Sequence, residues 1–246
     1  MKDKPVTLFW FRRDLRLFDN AGLHFALRDE HPVIPLFIFD TNILDELKDK
    51  RDKRVEFIHQ ALQNIQKQLK AWNSSLLVRT GKPLEIWKQL VSELTVHKVY
   101  CNADYEPYAI QRDLEVRDVL HQSGIEFFSF RDQVIFERDD VLKDDGNPYV
   151  VYTPYMKKWK QRFTAQHLQD LSFDVQSYKN NFADTSFEIP SLEEIGFQAT
   201  GATFPPHEPD EEIIKKYDKQ RDFPYLRGTT RVGVHLRFGT VSIRDL

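Results

Sequence analysis

Residues 10–20 read WFRRDLRLFDN, and this stretch decides how the rest of the chain is interpreted. It follows a short apolar run, residues 6–9, which predicts a first buried strand. Asp19 or Asn20 can cap a helix that begins near Ala21. A strand, a charged turn and a helix N-terminus in this order are typical of an anion or cofactor site, although such a turn can equally hold structural ion pairs. The four charged residues of the turn are Arg12, Arg13, Asp14 and Arg16.

Outward from this stretch, short apolar runs alternate with segments of helical periodicity. Ile58, Leu62, Ile65 and Leu69 recur at steps of four, three and four, which places them on one face of a helix. The alternation predicts an α/β fold over residues 1–132. The predicted sheet is Rossmann-like: five parallel strands, doubly wound, with helices on both faces. Ligands of such sheets bind beyond the carboxyl ends of the strands. Those ends carry residues 12–14, Asp40, residues 80–82 and residues 102–106.

The alternation stops near Gln133. Residues 133–210 are polar and irregular, with four prolines in the second half, and we expect a long linker across the surface. A helix is predicted to resume at Glu211 and to continue towards Asp222, as the first part of an all-α unit over residues 211–246.

Composition limits the kind of protein. The formal net charge is −3, Cys101 is the single cysteine, and no apolar run approaches the length of a membrane span. We therefore expect a soluble, cytoplasmic monomer with no membrane contact. The sequence contains no GxGxxG, GxxxxGK or GxSxG motif, and no histidine pair lies at helical spacing, so no metal site is predicted.

Three stretches together resemble the photolyase/cryptochrome family. They are the opening WFRRDLRLFDN, the run ADYEPY at residues 103–108, and residues 217–242, which read YDKQRDFPYLRGTTRVGVHLRFGTVS. The resemblance implies an N-terminal antenna domain, then a linker, then the start of a helical FAD-binding domain from residue 211. It implies no catalytic residue within this chain.

The second stretch resembles the pocket loop of photolyases that carry a flavin or deazaflavin antenna. By that resemblance Asp104 and Glu106 accept hydrogen bonds from the chromophore, and Tyr108 and Ala109 replace an Asn-Glu pair typical of folate antennas. FMN or a deazaflavin is therefore expected rather than folate. From the residues alone, the stretch is equally a capped helix start. The implied antenna residues are Arg12, Arg13, Asp14, Arg54, Asp104 and Glu106.

The third stretch resembles the turn that holds the FAD phosphates in this family. Hydroxyls and backbone N–H groups at a turn that leads into a helix are good phosphate ligands, although a capped helix start has the same composition. Val232 and Gly233 stand where the family has Leu and Ser, so one hydroxyl is lost. The implied FAD-binding residues are Tyr217, Thr229, Thr230, Arg231, Val232 and Gly233.

The resemblance implies that the parent protein is a light-dependent deoxyribodipyrimidine photolyase, which repairs pyrimidine dimers in UV-damaged DNA by electron transfer from reduced FAD. We predict that this chain alone does not repair DNA and binds FAD poorly. A cryptochrome photoreceptor, with the same fold and flavin, is the first alternative. The second is a nucleotide-binding domain of the electron-transfer-flavoprotein kind, which would not explain residues 217–242.

Overall fold

A computed structural model of the chain describes residues 4–168 and 174–246. The described residues form one parallel sheet in the order β3-β2-β1-β4-β5, so β1 lies at its centre. This confirms the predicted five-stranded α/β fold. The chain leaves β1 towards β2 on one side and returns to β4 on the other, which places a topological switch point at the end of β1. The strands are β1 (Val6–Phe11), β2 (Val33–Asp40), β3 (Leu77–Gly81), β4 (Val96–Asn102) and β5 (Glu126–Phe130).

The central strands are almost entirely apolar because helices cover both faces of the sheet. Every residue of β1 and β2 is buried, as expected for parallel strands with two covered faces. The helices of the sheet region are α1 (Ala21–Ala26), α2 (Thr41–Leu44), α3 (Lys53–Lys70), α4 (Pro83–Glu93) and α5 (Pro107–Gln122).

Each face of the sheet has its own hydrophobic core. On one face, Phe9 and Phe11 of β1 pack with Leu23 of α1 and Leu62 of α3. On the other face, Trp10 packs edge-on against Trp87 of α4, with ring centroids 5.4 Å apart, and α5 adds Val116 and Leu120. The alternation of side chains along β1 therefore divides its aromatic residues between the two cores.

The segment that we predicted as a surface linker contributes to the core. It contains helix α6 (Tyr152–Arg162) and short 3₁₀ turns at Ala165–Leu168 and Val175–Asn181. Beyond them, the Ala183 amide donates to the Val33 carbonyl at 2.8 Å. The segment lacks regular periodicity, so its role was not readable from the sequence. Its side chains buried in the first core are Phe182, Leu192, Ile195 and Phe197.

The helix predicted to run from Glu211 towards Asp222 is divided in two. The backbone of Lys216 leaves the helical conformation at φ −108° and ψ 5°, which separates α7 (Glu211–Lys215) from α8 (Tyr217–Gln220). A third short helix, α9 (Gly233–Phe238), follows. Within the described ranges, no helix combines the length and the apolar character needed to cross a bilayer.

Helix α9 is docked onto the loop between β1 and α1. The Leu15 amide donates to the Phe238 carbonyl at 3.0 Å, and Arg16 Nη1 donates to the Gly239 carbonyl at 3.2 Å. Gly239 ends the helix with φ +64°, the left-handed conformation that glycine adopts without steric cost.

Past Gly239 the chain is fixed by a buried ion-pair network. Arg244 contacts Asp19 and Asp132, each at 2.8 Å, and Arg16 reaches Asp132 at the same distance. Two arginines thus share two carboxylates beneath the β1–α1 loop. The network explains why this last segment lies against the sheet domain.

Candidate functional site

The carboxyl ends of the central strands open into a cavity of about 460 Å³. That volume lies in the range typical of small-molecule sites. The cavity sits at the switch point beside β1, where ligands of doubly wound sheets bind. Strands β1 and β2 form its floor, and α2, α3 and α9 contribute walls.

Most of the cavity wall is apolar and suits a flat aromatic ring. Phe37 and Phe39 come from β2, where the side chains of one sheet face alternate with those of the other. Val234 and Phe238 come from α9, so the docked C-terminal segment completes the wall. The remaining aliphatic residues of the wall are Ile38, Ile43, Leu44, Leu47, Val55 and Ile58.

Arg12 is a buried cation at the cavity wall. It forms an ion pair with Asp113, and its guanidinium carbon lies 5.1 Å from the Trp10 ring centroid. Burial alone lowers the pKa of Arg12, but Cys101, Asp113 and Asp14 raise it by more, so it stays charged. Its Nη2 is buried and has no hydrogen-bond partner among the described residues. An unpaired buried donor is costly, and an acceptor that entered the cavity beside it would relieve that cost.

Arg13 joins the predicted acidic pair to the C-terminal helix. Its Nη1 lies 3.2 Å from Asp104 and 3.3 Å from Glu106, and its Nε donates to the Arg237 carbonyl at 3.2 Å. Arg237 in turn contacts Glu106 at 2.8 Å, and this pair lowers the pKa of Glu106. Asp104 and Arg13 border the cavity, whereas Glu106 does not line it and is held in ion pairs with Arg13 and Arg237.

Asp40, at the end of β2, anchors a polar group that the resemblance did not assign. Tyr108 donates its hydroxyl proton to Asp40 at 2.6 Å, and Asn42 donates to the same hydroxyl at 3.0 Å. Burial raises the pKa of Asp40, and burial together with the Asp40 hydrogen bond raises that of Tyr108 to about 12. Arg112 completes the group, 3.9 Å from Asp40 and with its guanidinium 4.8 Å from the Trp10 ring centroid.

The two remaining residues of the predicted antenna site differ in burial, since Asp14 is buried and Arg54 is exposed. Asp14 does not line the cavity; it is buried, and it accepts hydrogen bonds from the Arg12 amide at 2.7 Å and from Asn102 at 2.6 Å. Burial raises its pKa, and its contacts hold the shape of the loop. Arg54 borders the cavity at the start of α3, but its side chain is 64% exposed and pairs with Asp52 at 2.5 Å.

Of the six residues implied for FAD phosphates, four are exposed, and Thr230 and Val232 are half-buried. Tyr217 is 45% exposed, and Thr229, Arg231 and Gly233 are also exposed. Gly233 borders a second, shallower cavity beside Trp159, and Arg231 adopts a left-handed φ of +59° at the turn before α9. The structure thus brings Arg12, Arg13, Arg54 and Asp104 into one cavity. It does not bring the six residues implied for FAD into that cavity.

Sequence reasoning missed two cavity residues, Arg112 and Arg237, and Tyr108, which contacts Asp40 at the cavity. Tyr108 and Arg112 lie one turn apart on α5, so their helical spacing was a usable signal once α5 was predicted. Arg237 carried no such signal, because it reaches the cavity only through the docking of α9.

Comparison with known proteins identifies the family. The family model for DNA photolyase matches residues 7–172. A deoxyribodipyrimidine photo-lyase of Synechococcus sp. is 35% identical over 97% of this chain and 52% of its own length. An uncharacterized 31.6 kDa protein of another Synechococcus strain is 30% identical over 98% of this chain and 88% of its own length. The chain therefore spans about half the length of the curated photolyase and most of the shorter relative.

Solved structures agree with this match. A bacterial class III photolyase from Agrobacterium tumefaciens superposes with a TM-score of 0.75 at 22% identity, over 100% of this chain and 52% of that one. An archaeal photolyase from Sulfolobus tokodaii, solved with two FAD molecules, gives a TM-score of 0.63 at 25% identity, over 97% of this chain and 53% of that one. The family model covers more than half of the chain, including the arginine-rich loop after β1 and most of the cavity lining, and the chain belongs to the DNA photolyase family.

Proposed function

We propose that this chain is the light-harvesting half of a DNA photolyase. Residues 1–132 would form the antenna domain, residues 133–210 the connecting segment, and residues 211–246 the first part of the helical FAD-binding domain. The observation that carries the proposal is the cavity at the switch point, whose apolar walls and arginine-lined rim suit a flat, polar-edged ring.

The antenna chromophore that fits this cavity best is FMN or a deazaflavin. Phe37, Phe39 and Phe238 offer apolar contact to the ring, while Arg12 offers an unpaired donor to a carbonyl or phosphate oxygen. Asp104 offers an acceptor to a ring N–H. Such a chromophore supplies absorption of light, and the residues of this chain bind and orient it.

The FAD of the parent protein would contact residues 217 and 229–233. Exposed hydroxyls and backbone N–H groups at the turn before α9 can bind phosphate oxygens, but they leave the flavin ring without an enclosing wall. We therefore expect weak FAD binding by this chain alone.

The activity proposed for the parent protein is light-dependent repair of pyrimidine dimers in UV-damaged DNA, by electron transfer from reduced FAD. The relative with 35% identity is a deoxyribodipyrimidine photo-lyase, which favours repair over the signalling role of a cryptochrome. We place no catalytic residue in this chain, and we propose a cytoplasmic, monomeric protein.

The test is an absorption titration of the purified chain with FMN, a deazaflavin and a folate. We expect a shifted, saturable spectrum with FMN or the deazaflavin. Asp104→Asn should weaken binding about tenfold, because a hydrogen bond to a charged group contributes about 1.5 to 3 kcal/mol. Glu85→Gln is the control for the loss of a carboxylate elsewhere, since Glu85 lies in the first turn of α4, does not line the cavity and pairs with exposed Lys88. Absence of binding in a folded sample, or equal effects of both substitutions, would contradict the antenna assignment.

Repair itself is tested separately, with dimer-containing oligonucleotides under blue light. We expect no repair by residues 1–246 and repair by a version extended with the C-terminal half of a photolyase relative. Repair by the isolated chain would overturn our view of where the catalytic residues lie.

A further inference from the structure

A cluster of potential metal ligands lies at the opposite edge of the sheet from the cavity. Glu30 and His31 follow α1 and precede β2, and His97 is the second residue of β4. Each offers one ligand atom, and the three atoms lie within 4.8 Å of one another. The spacing along the sequence gave no hint of this cluster, because parallel pairing on β1 brings the starts of β2 and β4 together.

The cluster has the composition of a transition-metal site. Two imidazoles and one carboxylate are a ligand set that Zn²⁺ accepts, with water in a fourth position. The His97 Nε2 lies 3.5 Å from Glu30 Oε1, and the rings of His31 and His97 meet edge to face with centroids 4.4 Å apart. Ligand atoms of a tetrahedral Zn²⁺ site lie about 3.3 Å apart, so a modest contraction would complete the geometry.

The side chain of Glu30 can move towards the two half-buried histidines. The side chain of Glu30 is 64% exposed, whereas β4 holds the backbone of His97 in the sheet. Lys98 is the neighbouring cation that could compete with a metal ion, but its Nζ lies 2.9 Å from Asp29 and 4.0 Å from Glu30. Lys98 is therefore engaged mainly by Asp29, and the carboxylate of Glu30 remains available.

We propose that Glu30, His31 and His97 form a binding site for a divalent transition-metal ion, with Zn²⁺ as the ion to test. The site uses none of the residues assigned to the chromophore or to FAD. It lies at the amino ends of the strands, so binding there would join the turn after α1 to β4.

The experiment is calorimetric titration of the metal-stripped chain with Zn²⁺. We expect one ion bound per chain, and His31→Ala and His97→Ala should each weaken binding by at least about tenfold, as loss of a partner at a metal site typically does. Glu30→Gln should weaken it too, and this exposed substitution leaves the fold intact. Mg²⁺, which prefers an all-oxygen octahedral set, should not bind there.

His207→Ala is the matched control, because His207 is also exposed and lies 3.7 Å from a glutamate, Glu208, but is not part of the cluster. Circular dichroism would show that each variant is folded. If His97→Ala unfolds the sheet, His31→Ala and Glu30→Gln decide the outcome. The proposal is overturned if the chain binds no Zn²⁺, or if these variants bind it as tightly as the unsubstituted chain.

Discussion

Replacing Gly239 by alanine should weaken the docking of α9 on the β1–α1 loop. An alanine Cβ at this position would lie 2.2 Å from the Arg13 carbonyl oxygen and 2.5 Å from the Asp14 Cα. Both are backbone atoms of a buried loop, so neither can swing aside. The φ of +64° adds a second cost, because a side chain in the left-handed conformation is strained.

The magnitude follows from these two effects. The left-handed conformation costs about 1 to 2 kcal/mol for a residue with a Cβ, and inserting an extra methyl group into a packed contact costs about 1 to 3 kcal/mol. We expect Gly239→Ala to lose about 2 to 5 kcal/mol of docking free energy. The ion pairs of Arg244 and Arg237 still hold the segment, so we expect it to open more often in this variant without staying open.

Hydrogen exchange at the Leu15 amide is the direct assay, because this amide donates to the Phe238 carbonyl across the docked contact. Gly124→Ala is the control. Gly124 also follows a helix and has a φ of +73°, but a Cβ there would meet nothing within 4 Å. Urea unfolding should show a loss of about 1 to 2 kcal/mol for the control. Unchanged protection of Leu15 in Gly239→Ala would refute the reasoning.

Three further predictions rest on other contacts. Arg244→Ala should lower the free energy of unfolding by about 3 kcal/mol, because it removes one of the two arginines that pair with the buried carboxylates of Asp19 and Asp132. In the same urea series, Arg79→Ala at the exposed pair with Glu93 should cost under about 1 kcal/mol. Gly22→Ala should lower the free energy of unfolding by about 1 to 3 kcal/mol, measured by thermal unfolding, since the alanine Cβ would lie 2.9 Å from the Cys101 carbonyl oxygen on β4. A stability equal to that of the parent chain would contradict the close packing of α1 on β4. Finally, the pKa of Tyr108 is raised to about 12 in the folded state, so the folded state holds the hydroxyl proton more tightly than the unfolded chain does. The protonated Tyr108 therefore contributes fully to the free energy of unfolding below about pH 10, and this contribution is lost as the pH rises through about 12. Tyr108→Phe should therefore show a shallower alkaline loss of stability, and identical pH profiles would count against the Asp40 hydrogen bond.

The strands of the sheet were predictable because burial on both faces leaves a direct mark on the sequence. Strands β1 and β2 read as continuous apolar runs, and helix α3 showed its buried face through regular spacing. The buried residues of the connecting segment left no such mark. Phe182 and Phe197 contact the core from irregular backbone, where neither a period of two nor one of 3.6 applies.

The candidate site was predictable to the extent that strand ends define it. Arg13 and Asp104 follow β1 and β4, which are neighbours in the sheet, so parallel pairing alone brings them to 3.2 Å. Arg237 reaches the cavity from α9, and no local sequence pattern predicts that α9 docks there. The cluster of Glu30, His31 and His97 was hidden for a related reason, since its members meet only when the sheet has formed.

The contribution of α9 to the cavity wall makes ligand binding and segment docking one linked equilibrium. A ligand that contacts Val234 and Phe238 binds the docked form more tightly than the open form. This coupling is reciprocal: the ligand stabilises the docked state of α9, and docking of α9 strengthens ligand binding by the same free energy. Occupancy of the cavity therefore stabilises the docked position of α9.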